Sequence, residues 1–114
     1  GAGGQENDVS YRPTCEIRNN SKKAVTYGGS GSNCEVIITG VLTDKNGKEY
    51  PMTYVGENGS APAGEKYEVK DFKLVAVGKG LYMEGSKVVT TFTYNGRKAV
   101  FTEYNNGNIT SKVE

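Results

Sequence analysis

The sequence predicts an all-β protein, an antiparallel β-sandwich of about seven to nine strands. Two observations lead to this prediction. Short runs rich in Val, Ile, Thr, Tyr and Phe alternate with Gly, Asn and Ser, a pattern typical of strands separated by turns. No segment repeats apolar residues at the i, i+3, i+4, i+7 spacing of an amphipathic helix for more than one turn. We therefore expect almost no helix.

The chain begins with a segment that differs from the rest. Residues 1–13 are small and polar and carry no periodic apolar pattern, so we predict a flexible N-terminal segment. Residues 14–114 are predicted to form a single domain, a size typical of one hydrophobic core. The chain opens with GAGGQEND and lacks an initiator methionine. We interpret this as a processed or engineered start from which a leader has been removed.

The first part of the domain contains the longest apolar strand. Residues 15–18 (CEIR) and 24–27 (AVTY) are predicted as short strands separated by a turn. Residues 34–42 (CEVIITGVL) carry apolar side chains on both faces, which predicts a central or well-covered strand. The apolar residues that share one face of this strand are Cys34, Val36, Ile38 and Leu42.

A hairpin follows at Asn46-Gly47, a pair suited to a tight turn. Residues 49–55 (EYPMTYV) are predicted as an edge strand, because Pro51 has no N–H to donate to a neighbour. Residues 56–65 (GENGSAPAGE) form the longest polar loop of the predicted domain.

The last part of the domain consists of further strands. Residues 66–77 hold one or two strands, and Asp71 is expected to cap a bend between them. Residues 87–94 and 97–104 alternate apolar and polar side chains on either side of Asn95-Gly96, which predicts a hairpin with a type I′ turn. Residues 109–113 are predicted to add a short last strand.

The two cysteines, Cys15 and Cys34, are in phase with the apolar positions of their predicted strands. A metal site needs more ligands than two thiolates, and a reactive thiol needs a basic partner to lower its pKa. We favour a disulfide in an exported protein, which would stabilise the fold by about 3 kcal/mol in the chain-entropy account. Two buried, unbonded thiols are the main alternative.

The composition excludes several classes of function. The absence of histidine excludes Ser-His-Asp triads, Cys-His pairs and histidine-ligated metals, and no pair of carboxylates is placed for catalysis. We expect no enzyme activity, no cofactor and no metal site. The net charge is +1, and no basic run exceeds Lys22-Lys23, which argues against nucleic-acid partners. No apolar run approaches the roughly 20 residues of a transmembrane helix.

One surface is predicted to bind a partner. Tyr50, Met52 and Tyr54 share one face of the predicted edge strand, and Glu57 and Asn58 follow in the adjoining polar loop. Loops on rigid scaffolds often carry binding residues. These five residues are therefore the candidate binding surface.

Three stretches carry a resemblance to a known class of domain. Residues 16–25 (EIRNNSKKAV), 38–50 (ITGVLTDKNGKEY) and 61–74 (APAGEKYEVKDFKL) resemble the small immunoglobulin-like modules of bacterial exported or lipid-anchored envelope proteins. The resemblance implies an immunoglobulin-like sandwich and an envelope location, with no activity attached. The chain departs from antibody-type domains, because it lacks the central tryptophan and its cysteines are too close in sequence to bridge the sheets.

The expected function is a non-enzymatic secreted or envelope-associated module, such as a lipoprotein domain, that binds a protein or glycan at the cell surface. The expected location is the periplasm, the outer surface of the envelope or the medium. The alternative is a small secreted protease inhibitor that presents residues 56–65 or 28–33 (GGSGSN) as a rigid loop held by the disulfide. A hydrolase that uses carboxylates alone is the third alternative.

Overall fold

The computed structural model describes residues 6–79, 81 and 83–114. Within these residues the chain forms eleven strands and no helix, which confirms the all-β prediction. The strands are β1 (Glu6–Tyr11), β2 (Cys15–Arg18), β3 (Val25–Gly28), β4 (Val36–Thr43), β5 (Glu49–Gly56), β6 (Gly59–Ala61), β7 (Lys66–Val69), β8 (Phe72–Lys79), β9 (Lys87–Tyr94), β10 (Arg97–Tyr104) and β11 (Ile109–Val113). The excess over the predicted number comes from β1 and β6, which lie in the segments predicted as the flexible N-terminus and the long polar loop.

The strands form one large sheet and one small sheet. The large sheet has the order β1-β8-β5-β4-β9-β10-β11, with β3 alongside β4 and β6 alongside β3. The small sheet, among the residues that the structure describes, consists of β2 and β7. All neighbouring strands are antiparallel except β3 and β4, which run parallel from Tyr27↔Val36 to Gly28↔Ile37.

Strand β5 connects two parts of the large sheet. Its first half pairs with β4 and its second half, from Thr53, pairs with β8. The predicted edge position is therefore wrong for the strand as a whole, since β5 lies between β4 and β8, although each of its halves pairs with one of them only. Pro51 lies opposite Val41 of β4, at a level where β5 has no pairing with β8 among the described residues. One side of the strand stays free there, as the missing N–H of proline requires.

The core lies between β4 and β9 on one side and β8, β2 and β7 on the other. The first cluster of buried residues contains Cys15, Val25, Tyr27, Val36, Ile38, Val69, Phe72, Leu74 and Phe92. The second cluster, further along β4 and β8, contains Leu42, Tyr50, Ala76, Leu81 and Val88. The predicted inward face of β4 is confirmed, because Val36, Ile38 and Leu42 are buried. Their alternation with less buried neighbours is that of a strand covered mainly on one face.

The predicted flexible N-terminus is wrong for residues 6–11. These residues form β1, which pairs with β8 from Glu6↔Lys79 to Tyr11↔Leu74. The hydroxyl of Tyr11 also donates a 2.7 Å hydrogen bond to Glu103 of β10. Residues 1–5 lie outside the described residues.

The turns follow the sequence in two places. Asn95 and Gly96 both have positive φ, +49° and +77°, as the predicted type I′ turn requires. Asp71 has φ +68° in the connection where the chain leaves the small sheet and enters β8. Residues 66–77 thus hold two strands that belong to different sheets.

The predicted long polar loop at residues 56–65 is wrong in part. Its centre forms β6, which pairs with β3 from Val25↔Ala61 to Tyr27↔Gly59. The close approach of β6 to β3 depends on Gly59, because a Cβ there would lie 2.2 Å from the ring of Tyr27. The segment therefore lies along the sheet instead of projecting from it.

The predicted disulfide is wrong, since Cys15 and Cys34 are both free thiols. Cys15 is buried and lines a small internal space together with Thr90 and Phe92 of β9. These two residues pair with Gly40 and Ile38 of β4, so Cys15 lies level with the middle of that strand. Cys34 precedes the start of β4 by two residues. Cys34 is therefore four residues from Ile38 and six from Gly40. At about 3.3 Å per extended residue this separation is roughly 13–20 Å, which exceeds the roughly 7 Å between Cα atoms that a disulfide allows.

Candidate functional site

The described residues form an open groove of about 420 Å³ between β2 and the ends of β9, β10 and β11. We call it the apolar groove. Its floor and walls carry the apolar side chains of Ile17, Val25, Val36, Phe92, Tyr94, Ala99, Phe101 and Val113. The charged side chains around it are those of Glu16, Arg18, Arg97 and Lys98.

The floor of the apolar groove is built by the β9–β10 hairpin. Phe92 pairs with Ala99 across the two strands, and the ring of Phe101 packs edge-on against Phe92 at 5.7 Å between centroids. In β10, which is described in full, no residue is buried, because the small sheet has only two strands and does not extend over β10. The inward face of β10 therefore opens into the groove.

One wall of the apolar groove is β2 and the turn that follows it. Residues 16–21 all line the groove. The turn is held by Asn19, which is 4% exposed. Its amide nitrogen donates to the carbonyls of Lys23 and Ala61 at 2.9 and 3.0 Å, and its Oδ1 accepts from the backbone N–H and the hydroxyl of Ser21. The side chain thus ties the end of β2 to β6.

Sequence reasoning did not select Asn19 as a structural residue. The signal in the sequence was the Asn-Asn-Ser run, since an asparagine two residues before a serine often accepts from that residue's backbone N–H. The burial of the amide depends on β6, which is far away in the chain. No local pattern indicates that contact.

The rim of the apolar groove is predominantly basic. Arg18, Arg97 and Lys98 are exposed, and Glu16 is the one acid among the residues that line the groove. Within the described part of the chain, the sole ion pair joins Lys112 and Glu114 at 3.0 Å. The three cations therefore have no carboxylate bound among the described residues, and the rim attracts anionic groups.

The predicted binding surface is divided between the core and a second cleft. This fork cleft, of about 330 Å³, lies where β4 and β5 part, and Met52, Tyr54 and Asn58 line it. Tyr50 is buried in the second core cluster instead. Glu57 is exposed outside the cleft and accepts the hydroxyl hydrogen bond of Tyr54 through its backbone carbonyl at 2.8 Å.

Tyr54 contributes to packing as well as to the fork cleft. Its ring stacks on Phe72 at 4.8 Å with an interplanar angle of 8°, and burial raises the pKa of its hydroxyl. Gly29 lies against it so closely that a Cβ at this position would be 2.6 Å from the Cβ of Tyr54. The fork cleft thus has a tightly packed wall, and its use as a binding surface stays a prediction.

The free thiols differ in their surroundings. Cys15 is buried, and burial raises its pKa to about 11, so the thiol stays protonated at neutral pH and is a weak nucleophile. Cys34 is half-buried beside Gly28, whose Cβ would lie 2.9 Å from the sulfur. Neither thiol lies at the apolar groove.

Among residues 6–79, 81 and 83–114, no cluster of three or more Cys, Asp or Glu side chains is placed to bind a metal ion. The described residues also contain no helix with the length and apolarity needed to cross a bilayer. No protein-family model, curated protein or solved structure matches the chain.

Proposed function

We propose that the chain is a non-enzymatic binding module that holds its ligand in the apolar groove. The observation that carries this proposal is the open inward face of β10 beside β2, which leaves a cavity of about 420 Å³. Ligand sites usually enclose about 300–1,000 Å³ and combine an apolar lining with a few polar groups. The apolar groove has both properties.

Exposed apolar side chains at the groove support the proposal. Val113 is 69% exposed and Tyr94 is 39% exposed, and both line the groove with the half-buried Phe101. Apolar patches that are rimmed by polar residues are typical of interaction sites. The fork cleft is smaller and is lined by several hydroxyl and amide groups, so it is a weaker candidate for apolar burial.

The proposed partner is a protein or glycan in the envelope or outside the cell. Because Cys15 and Cys34 are not bonded, a disulfide does not support the exported location, which we propose on the resemblance to envelope modules. The protease-inhibitor alternative stays a prediction without structural support. Residues 56–65 are held along the sheet by β6, and residues 28–33 have no disulfide to make them rigid.

A direct test is an NMR titration of the isotope-labelled protein with a ligand panel. The panel contains soluble glycans, extended peptides and the apolar anionic dye anilinonaphthalene sulfonate. We expect at least one of these ligands to shift the amide signals of Phe92, Ala99 and Phe101. If every ligand leaves these signals unchanged, or shifts only signals at the fork cleft, the proposal is wrong.

Two matched variants link binding to the groove. Ala99→Arg places a long side chain into the groove without removing a core residue, so we expect about tenfold weaker binding. Thr102→Arg introduces the same side chain on the opposite face of β10 and should bind as the wild type does. Equal affinity of the two variants would contradict binding in the apolar groove.

A further inference from the structure

We infer that the apolar groove accepts an extended acidic peptide segment, which pairs with the edge of β2 as an added strand. This inference rests on the proposed function, because it concerns the same groove. It specifies the partner as a peptide in β conformation and the mode of recognition as backbone pairing.

Strand β2 has a free edge. Among the described residues β2 pairs with β7 alone, from Cys15↔Val69 to Arg18↔Lys66. Just beyond β2, the N–H of Asn19 donates to the carbonyl of Glu65 at 3.0 Å, on the β7 side. Successive residues of an antiparallel strand direct their N–H and C=O groups to alternate sides. The backbone groups of Glu16 and Arg18 therefore point away from β7.

This free edge borders the apolar groove. Glu16, Ile17 and Arg18 all line it, although neighbouring side chains of a strand point to opposite faces of the sheet. A cavity that touches three consecutive residues of a strand borders the edge of that strand. The wall of the groove is thus a short row of unpaired N–H and C=O groups, which is a template for another strand.

The space beside β2 is open to a further strand. The small sheet faces the large sheet through Cys15 and Val69, which are buried in the first core cluster. Ala99 and Phe101 of β10 are only half-buried. A strand added about 4.8 Å from β2 would lie over them and complete the second layer. Its alternate side chains would point into the groove, so every second residue of the peptide should be apolar.

The charge of the peptide follows from the residues around the groove. The side chains that point out of the groove from an added strand lie beside that of Arg18, which is exposed. Arg97 and Lys98 line the groove as well, against the single carboxylate of Glu16. Opposite charges on neighbouring strands stabilise their pairing. The outward residues of the peptide are therefore acidic.

The experiment uses a peptide of alternating glutamate and valine, which its charge keeps soluble at pH 7. Binding is measured by calorimetry and by NMR shifts of the protein. The first pair of variants is Glu16→Pro and Glu68→Pro, which change the two members of one cross-strand pair. Each removes one carboxylate and one N–H that points away from the partner strand, but only residue 16 faces the groove.

We expect Glu16→Pro to weaken binding about tenfold, as the loss of a backbone donor at an interface does. Glu68→Pro should bind within about twofold of wild type, since its lost N–H lies at the other edge of the small sheet. Equal losses in the two variants would overturn the inference, because they would reflect a general effect of proline on the sheet.

Two altered peptides test the same claim without changing the protein. A peptide N-methylated at the residues that face β2 keeps its side chains but cannot donate to the edge, and it should not bind. A peptide with lysine in place of glutamate should bind about tenfold more weakly at low salt. Unchanged affinity of the N-methylated peptide overturns strand addition even if Glu16→Pro fails to fold.

The outcomes separate this inference from the proposed function. If ligands shift the signals of Ala99 and Phe101 while N-methylation and Glu16→Pro leave affinity unchanged, strand addition is wrong and the proposed function stands. If no ligand shifts those signals, both are wrong. A dimer of the free protein that Glu16→Pro abolishes would identify a second copy of this chain as the occupant and would overturn the peptide partner.

Discussion

The substitution Asn19→Ala tests whether the hydrogen bonds of the Asn19 side chain hold the wall of the apolar groove. The Asn19 amide is buried and makes four hydrogen bonds, two as donor and two as acceptor. A hydrogen bond in a protein contributes about 0.5–1.5 kcal/mol net, and a buried group left without a partner costs about 1–3 kcal/mol. The bond to the carbonyl of Ala61 is fully buried. We expect Asn19→Ala to lower the free energy of unfolding by about 3 kcal/mol.

Two further variants sharpen this test. Asn19→Asp keeps the size and the acceptor for Ser21 but directs an oxygen at the carbonyls of Lys23 and Ala61. It should therefore be at least as destabilising as alanine. Asn20→Ala changes the exposed neighbouring residue and should stay within about 0.5 kcal/mol of wild type.

The assay is urea unfolding at pH 7, followed by far-ultraviolet circular dichroism. The midpoint and the slope together give the free energy of unfolding. If Asn19→Asp unfolds at the wild-type urea concentration, the two donor bonds to Lys23 and Ala61 contribute nothing and the reasoning is refuted.

Other predictions concern the core and the thiols. Leu74 is 0% exposed, so Leu74→Ala should lower the free energy of unfolding, measured in urea, by about 3 kcal/mol. Val77 is 50% exposed, so Val77→Ala should lower it by less than about 1 kcal/mol. Equal losses would contradict the assignment of Leu74 to the inward face of β8 and Val77 to the outward face. At pH 8 iodoacetamide should label Cys34 quickly and Cys15 only on unfolding. Mass spectrometry measures the two labelling rates, and equal rates would contradict the burial of Cys15. Burial raises the pKa of Cys15 from 9.0 to about 11. Its contribution to stability is therefore complete below pH 9 and is lost as the pH rises towards 11. Between pH 9 and pH 11, the free energy of unfolding of the wild type should fall more than that of Cys15→Ala. If the two free energies fall in parallel with pH, the raised pKa of Cys15 is contradicted.

Local sequence patterns predicted the strands that bury one face on the core. The alternation in β4 and β9 and the Asn95-Gly96 turn were sufficient to predict those elements, because period-two burial and turn chemistry are local properties. They were insufficient for β1 and β6, whose polar composition is that of a loop. These two strands form because their backbones pair with β8 and β3, and backbone pairing leaves little trace in composition.

The candidate site was less predictable than the fold. The sequence directed attention to Tyr50, Met52 and Tyr54, but strand alternation alone does not tell which aromatic residues are enclosed by the other layer. The disulfide prediction failed for a related reason. The phase of Cys15 was correct for burial, but Cys34 is only half-buried, and the two residues lie at different levels along the sandwich. The apolar groove depends on the small sheet being narrower than the sheet it faces. That difference in width follows from the pairing of β2 with β7, which are far apart in the chain.

Amide hydrogen exchange of β2 tests the central claim most directly. If β2 is a free edge on the apolar groove, the amides of Glu16 and Arg18 should exchange much faster than those of Ile17 and Asn19, and the acidic peptide should slow them. Equal and strong protection of all four amides in the free protein would mean that the edge is already paired, and both the docking mode and the open groove would be contradicted.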